Sequence, residues 1–186
     1  SVPTATNEYR LELAVSNTLS ISSNSAVNVN AKGYLPGRTY PNTTTNASTG
    51  YSGGSYGGLG NGDSGTVNPV YGDFRNPNEL GSSSPQAPGG GLARIQAAEL
   101  VLDGQITANS LSSGSGGGIF LDVGRLAGGG LVSASGWTQG CCGRDGGGGR
   151  VAIYYDILDG FDLTNRVSAT ATGAGGPGTV YLRHGE

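Results

Sequence analysis

Apolar and polar residues alternate along much of this chain in one repeated arrangement: a strand-like stretch, a turn, then a shorter stretch ending in a small residue. Gly91 to Asn109 reads GLARIQAAELVLDGQITAN, and Gly117 to Ser135 reads GGIFLDVGRLAGGGLVSAS. A shift without gaps superposes Ile95 on Leu121, Ala97 on Val123, Leu100 on Leu126, Ile106 on Val132 and Ala108 on Ala134. Alternate side chains of a strand fall on one face, so the pattern predicts strands, and no stretch reads as a long amphipathic helix. Repetition of this kind predicts units that stack on one another.

The register extends both ways. EYRLELAVSNTLSISSNSAVNVNAKG supplies Leu11, Leu13 and Val15, then Leu19 and Ile21, then Val27 and Val29. GGRVAIYYDILDGFDLTNRVSATATG supplies Val151, Ile153 and Tyr155, then Phe161 and Leu163, then Val167 and Ala169. A fifth copy, GTVYLRHGE, places Val180 and Leu182 in the first-strand positions and stops before its second strand. Parallel pairing with turns too short for helices requires a solenoid, whose coils rise by ~4.8 Å each. The expected fold is therefore all-β, a β-solenoid of about four to five coils and roughly 20 to 25 Å tall. Ile95, Leu121 and Ile153 should form one internal ladder; Ile106, Val132 and Val167 should form another. The expected organisation is a single solenoid domain over residues 1–186, with residues 32–90 as a lateral insertion between the first and second coils.

That insertion is rich in Gly, Asn, Ser, Thr and Tyr and shows no strand periodicity. A flexible linker rarely carries rings that can pack, and Tyr34, Tyr40, Tyr51, Tyr56, Tyr71 and Phe74 predict an excursion folded against the side of the stack.

Composition adds that the surface is polar without being charged. Charged residues are 12% of the chain against ~25% in ordinary soluble domains, so Ser, Thr, Asn and backbone must meet the water. A net charge of -3 is too small for a disordered polyelectrolyte, and with Lys32 as the sole lysine there is no footprint for nucleic acid or an anionic membrane. No apolar run approaches the roughly 20 residues that span a bilayer. The start at Ser1, without a signal peptide, and the end inside a repeat are read as those of a processed chain or a fragment of something longer.

Several residues carry candidate chemistry. Oxygen donors in and after GGLGNGDSG, namely Asp63, Asp73, Asn76, Asn78 and Glu79, have the hard character that calcium prefers; the alternative is a glycine-rich loop whose side chains face water. Asp63, Asp73 and Glu79 are thus the metal candidates, and no cofactor other than such a calcium ion is expected. Cys141 and Cys142 are adjacent, without the spacing of a zinc site. They are expected as an oxidised pair, with a bond across subunits or free thiols as alternatives. Asn42 and Asn46 head Asn-x-Ser/Thr triplets that glycosylation would use. Asp156, Asp159 and Asp162 cluster in YYDILDGFDL, where they bracket a cation or a sugar, or else shape the turn. Asp103 and Asp122 occupy non-equivalent positions of the aligned repeats. Trp137 and the tyrosines present rings to sugars or pack the excursion.

Through GGSYGGLG, VYGDFRNPNELGS, GGGLARI, LVLDGQITAN, GGGIFLDVG and GGGGRVAIYY the chain resembles the glycine-rich modules of large bacterial surface and secreted proteins, with the right-handed parallel β-helix of the pectate-lyase-like superfamily. The resemblance implies architecture rather than activity, because that solenoid carries lyases, hydrolases, adhesins and structural modules alike. Polygalacturonase-like members would show an Asp pair and a Gly-His-Gly element; here the one histidine is His184 and no aspartates are adjacent. With no nucleophile, base and orienter set, the chain is expected not to be an enzyme. The leading expectation is an extracellular or cell-surface structural or adhesive module, of a giant surface protein or a self-assembling fibre. Its partners are then further copies or further coils of a larger polypeptide, meeting at Val180, Tyr181 and Leu182. The alternative is a module that binds or cleaves polysaccharide, which an acidic groove beside Arg94, Arg125 or Arg150 would favour.

Overall fold

The computed structural model describes residues 3–138 and 144–185. Among them every regular element is a strand: β1 (Leu11–Ile21), β2 (Ala26–Asn28), β3 (Tyr51–Ser52), β4 (Gly62–Ser64), β5 (Leu92–Leu102), β6 (Gln105–Thr107), β7 (Gly118–Ala127), β8 (Leu131–Ser133), β9 (Arg150–Asp159), β10 (Val167–Ser168) and β11 (Thr179–His184). The long strands form one parallel sheet in the order β1-β5-β7-β9-β11, and the short ones form a second, β2-β6-β8-β10. Each passage of the chain adds a strand to both.

Pairing follows the sequence repeat. Leu13, Ile95, Leu121, Ile153 and Leu182 lie side by side across the first sheet. Val27, Ile106, Val132 and Val167 do the same across the second. Both ladders point into one core with Leu100, Leu102, Leu126, Ile119 and Val151.

The long strands before β11 depart from strict alternation at one place. In β5 the residues of the main core are Ala93, Ile95 and Ala97, then Leu100 and Leu102; in β7 they are Ile119, Leu121 and Val123, then Leu126. The step is lost at Ala98 and at Gly124, the pairing between the two strands skips that pair, and β1 slips in register between Val15 and Thr18. Such irregularities bend a strand. Stacked level upon level, they bend the whole sheet along one line and open its outer surface there.

Every passage also closes through a neck. Gly91 N–H donates to the Val29 carbonyl, Gly117 to Ala108, Gly149 to Ala134 and Gly178 to Ala169, at 2.7–2.8 Å. Between the two sides of each neck the chain leaves the core and returns, so residues 30–90 are the longest of four such excursions.

The excursions pack on one another through backbone. Gly54 N–H donates to Ser113 O, Gly147 to Gly54 O, Gly58 to Gly148 O, Gly116 to Gly147 O and Gly90 to Ser115 O, all at 2.9 Å. Chains this close leave no room for Cβ atoms, and at Gly116 and Gly149 an added Cβ would overlap a neighbouring carbonyl. Buried serines and Asn68 supply the remaining polar contacts. The Asn68 carboxamide accepts from Ser48 Oγ (2.9 Å) and Ser55 N–H (2.8 Å) and donates to Ser55 O (2.9 Å).

The long excursion departs from the expected absence of strands. β3 and β4 pair antiparallel within it, a two-stranded ribbon too short to leave an alternating signature. Its rings do pack: Tyr34, Leu80 and Leu92 form a second small core with Tyr71 against it, and Tyr56 lies 4.9 Å from Tyr71. Burial pushes the hydroxyls of Tyr34, Tyr56 and Tyr71 well above the usual phenol range, so they remain neutral.

Candidate functional site

Chemistry and shape coincide along the bend line of the long-stranded sheet. At the skipped rung stand Ala98 of β5 and Gly124 of β7, with Ser16 of β1 and Asp156 of β9 on either side, so nothing larger than a methyl covers the backbone of the two central strands. An open groove of about 560 Å³ results, its polar lining made mainly by Gln96, Asp122 and Asp156. The Gln96 amide donates to Asp122 Oδ2 at 3.1 Å. The Asp156 backbone carbonyl accepts from the His184 ring at 2.9 Å, and its carboxylate lies beside Gly185.

An ionic cluster and an aromatic wall stand on the same sheet, outside the lining of the groove. Arg125 reaches both Glu99 on the strand before it and Asp159 on the strand after it, and Thr18 Oγ1 donates to Glu99 Oε2 at 2.8 Å. A guanidinium held by two carboxylates has its charge compensated in place. In the aromatic wall Phe120, Tyr154 and Tyr181 follow one another at 5.4 and 5.7 Å, with Phe74 of the long excursion against Tyr181 at 5.7 Å. Tyr154 lies beside Asp122 in the pairing and donates its hydroxyl to Arg75 O at 2.9 Å.

Arg94 and Arg150 anchor the excursion. Arg94 donates to Pro77 O at 2.5 Å with its guanidinium 4.0 Å from the Phe120 ring, and burial lowers its pKa. Arg150 is buried; it donates to Tyr71 O at 2.7 Å and lies 5.3 Å from the Tyr56 ring. Both are structural cations.

The aspartates of YYDILDGFDL part company. Asp156 faces the groove, Asp159 holds Arg125, and Asp162 caps its own turn by accepting from Thr164 N–H and Asn165 N–H at 3.0 Å. Those bonds, led by the Asn165 amide, hold its carboxyl below the usual range. Asp103 Oδ1 accepts from Gly129 N–H at 3.2 Å, another turn.

The oxygen donors considered for calcium are likewise spread out. Asp63 is exposed on β4, Asp73 caps Arg75 N–H at 2.8 Å, and Asn78 accepts from Arg10 at 2.8 Å. Glu79 accepts from the Tyr56 hydroxyl at 3.2 Å. Among the described residues no three His, Cys, Asp or Glu side chains gather where they could hold a metal ion. Asn42 and Asn46 both adopt left-handed backbone, and the Asn42 amide donates to Thr4 O at 3.0 Å. Trp137 is exposed.

At the outer edge of β11, Val180 and Leu182 continue the inward ladder and are 43% and 41% exposed, whereas Tyr181 points the other way into the aromatic wall. β1 is the opposite edge, with Leu11, Leu13 and Val15 half-buried.

Comparison with protein-family models, curated proteins and solved structures finds no match. No helix among the described residues is long and apolar enough to cross a membrane. The groove was missed in the sequence because Ala98 and Gly124 look like unremarkable small residues. The trace that could have revealed it is the break in alternation between Ala97 and Leu100, repeated between Val123 and Leu126.

Cys141 and Cys142 lie outside the described residues. Mass measurement with and without reductant is expected to show an intramolecular oxidised pair, and reduction should change stability little, because a bond between neighbours closes almost no loop. Two alkylatable thiols in the native protein would contradict it.

Proposed function

We propose that this chain is a non-enzymatic structural or adhesive module: a right-handed parallel β-solenoid working outside the cell, as part of a giant surface protein or a self-assembling fibre. The handedness follows the strong preference of parallel crossover connections. The observation that carries the reading is the pair of unbroken ladders, with open edges at β1 and β11.

An edge strand offers a row of unpaired N–H and C=O groups to any strand that can lie beside it. Here the edge also bears apolar side chains in register with the core, so an added coil would bury Val180 and Leu182 together with Leu158, which pairs with Leu126 and is 42% exposed. Further coils, from a longer polypeptide or from another copy meeting the face of Val180 and Leu182, complete the same ladder. Low charge and a polar, glycine-rich surface fit an extracellular setting.

Sedimentation and electron microscopy over a concentration series test this. Copies are expected to associate end to end, and Leu182→Lys is expected to abolish association by placing a charge in the ladder. Incubation with pectin, alginate and similar polyanions should release no products. A monomer at high concentration, unaffected by Leu182→Lys, would remove self-assembly; polysaccharide turnover lost on Asp156→Asn or Asp159→Asn would replace the structural reading with an enzyme.

A further inference from the structure

We infer that His184 gates the end-to-end meeting of copies by pH: β1 of one copy joins β11 of another while the His184 ring is neutral, and the two part when it is protonated. The inference rests on the assembly reading above and adds its regulation.

Register identifies the partner surface. Through the pairings across β5, β7 and β9, the inward residues Val180, Leu182 and His184 of β11 stand at the same rungs as Leu11, Leu13 and Val15 of β1. A second copy that lays its β1 along β11 in this register brings apolar side chains to Val180 and Leu182, and Val15 to His184. Chain direction is kept from level to level, so the excursions of the two copies also come out on one side. On the outer face the exposed Glu12 of the added copy arrives at the rung of Tyr181, where Arg75 lies 5.9 Å from the ring. Opposite charges thus meet at the rim of the joint.

His184 is the exception in its column. Val15, Ala97, Val123 and Tyr155 precede it across the sheet, and its ring lies 5.3 Å from that of Tyr155. In a single copy the ring is exposed, and water serves both of its protonation states. An added β1 takes it out of water, between Tyr155 and Val15. A neutral imidazole enters such a place at small cost, whereas an imidazolium must shed its hydration.

The groups around the ring do not replace that hydration. From β9 the Asp156 carbonyl accepts from His184 Nε2 at 2.9 Å, so the added proton sits on Nδ1, and the Val15 side chain offers it no acceptor. The Asp156 carboxylate lies beside Gly185 and lines the outer groove, on the water side of the joint. Asp122 bonds Gln96 on that same outer face, and Arg183, next to His184 in β11, lies 5.8 Å from the Tyr154 ring there. Joining therefore releases protons, and it strengthens as pH rises through the imidazole range, which lies at about 6.5 in water.

Sedimentation velocity of the whole chain at pH 7.5 and 5.5, at one ionic strength, provides the test. The association constant is expected to fall about tenfold from the higher to the lower pH, the factor by which an imidazole that joins only when neutral is depleted. His184→Leu should associate equally at both pH values, and His184→Lys weakly at both. Since the ring is exposed in a single copy, both variants are expected to keep the parent's thermal midpoint. Association in the parent that is equal at the two pH values, or stronger at 5.5, would overturn the gate and leave the assembly reading standing. A pH dependence retained in His184→Leu would overturn it as well. No association at either pH, in the parent or in His184→Leu, would remove the assembly reading and the gate with it.

Discussion

Gly149→Ala is expected to lower the thermal midpoint by roughly 6–12 °C, although it adds one methyl group to a glycine-rich chain. Gly149 sits at a neck, where its N–H donates to Ala134 O at 2.7 Å and its carbonyl accepts from Thr179 N–H at 3.0 Å. A Cβ there would overlap the carbonyl oxygen of Gly117. That oxygen accepts from Arg150 N–H at 2.9 Å, so it cannot retreat without breaking the link into β9. Overpacking of flexible side chains costs about 1–3 kcal/mol, and a backbone-to-backbone overlap belongs at the upper end, about 3 kcal/mol. Gly129→Ala is the control: no atom lies within 4 Å of a Cβ added there, and its stability should stay within about 0.5 kcal/mol of the parent. Differential scanning calorimetry of both variants decides. Equal midpoints would mean that the glycines are not there for close approach.

Leu121→Asp is expected to leave no cooperatively folded protein. Leu121 is fully buried at the middle of the ladder from Leu13 to Leu182, with Ile95 on one side and Ile153 on the other. Its neighbours in that core include Ile95, Ile119, Val123, Leu126 and Ile153, all apolar. An unpaired buried charge costs several kcal/mol, roughly 3–5 when it stands alone, against a total stability of about 5–15. Circular dichroism and the calorimetric transition report it directly; a Leu121→Asp protein that still melts sharply would mean that Leu121 is not in a ladder.

Much of the stacking was legible in the sequence because it is encoded by local alternation. Ile95 against Leu121 and Ile106 against Val132 follow from one gapless shift, and the pairing observed is that shift. Where lengths vary between copies, as between Leu121 and Ile153, the apolar alternation still located the partner, since only inward residues need to match. Glycine was legible in number but only partly in purpose. Gly128 and Gly160 have positive φ, as turns demand, while Gly117 and Gly149 serve to let backbones touch, which no local pattern distinguishes.

The residues of the groove were visible individually and invisible as a group. Ala98, Gly124 and Asp156 are brought together only by parallel pairing between separate strands, and only the bend turns small side chains into a floor. The same holds for Arg125, whose partners Glu99 and Asp159 come from the strands on either side. It holds too for the aspartates at 156, 159 and 162, neighbours in sequence whose tasks the bend and the turn after β9 assign differently. The sequence by itself determined the strands, their inward faces and the central register, because a side chain's face depends on its position in its own strand. Tertiary structure alone decided the necks, the glycine-lined contacts between excursions and the groove, because each depends on which distant backbones come within hydrogen-bonding distance.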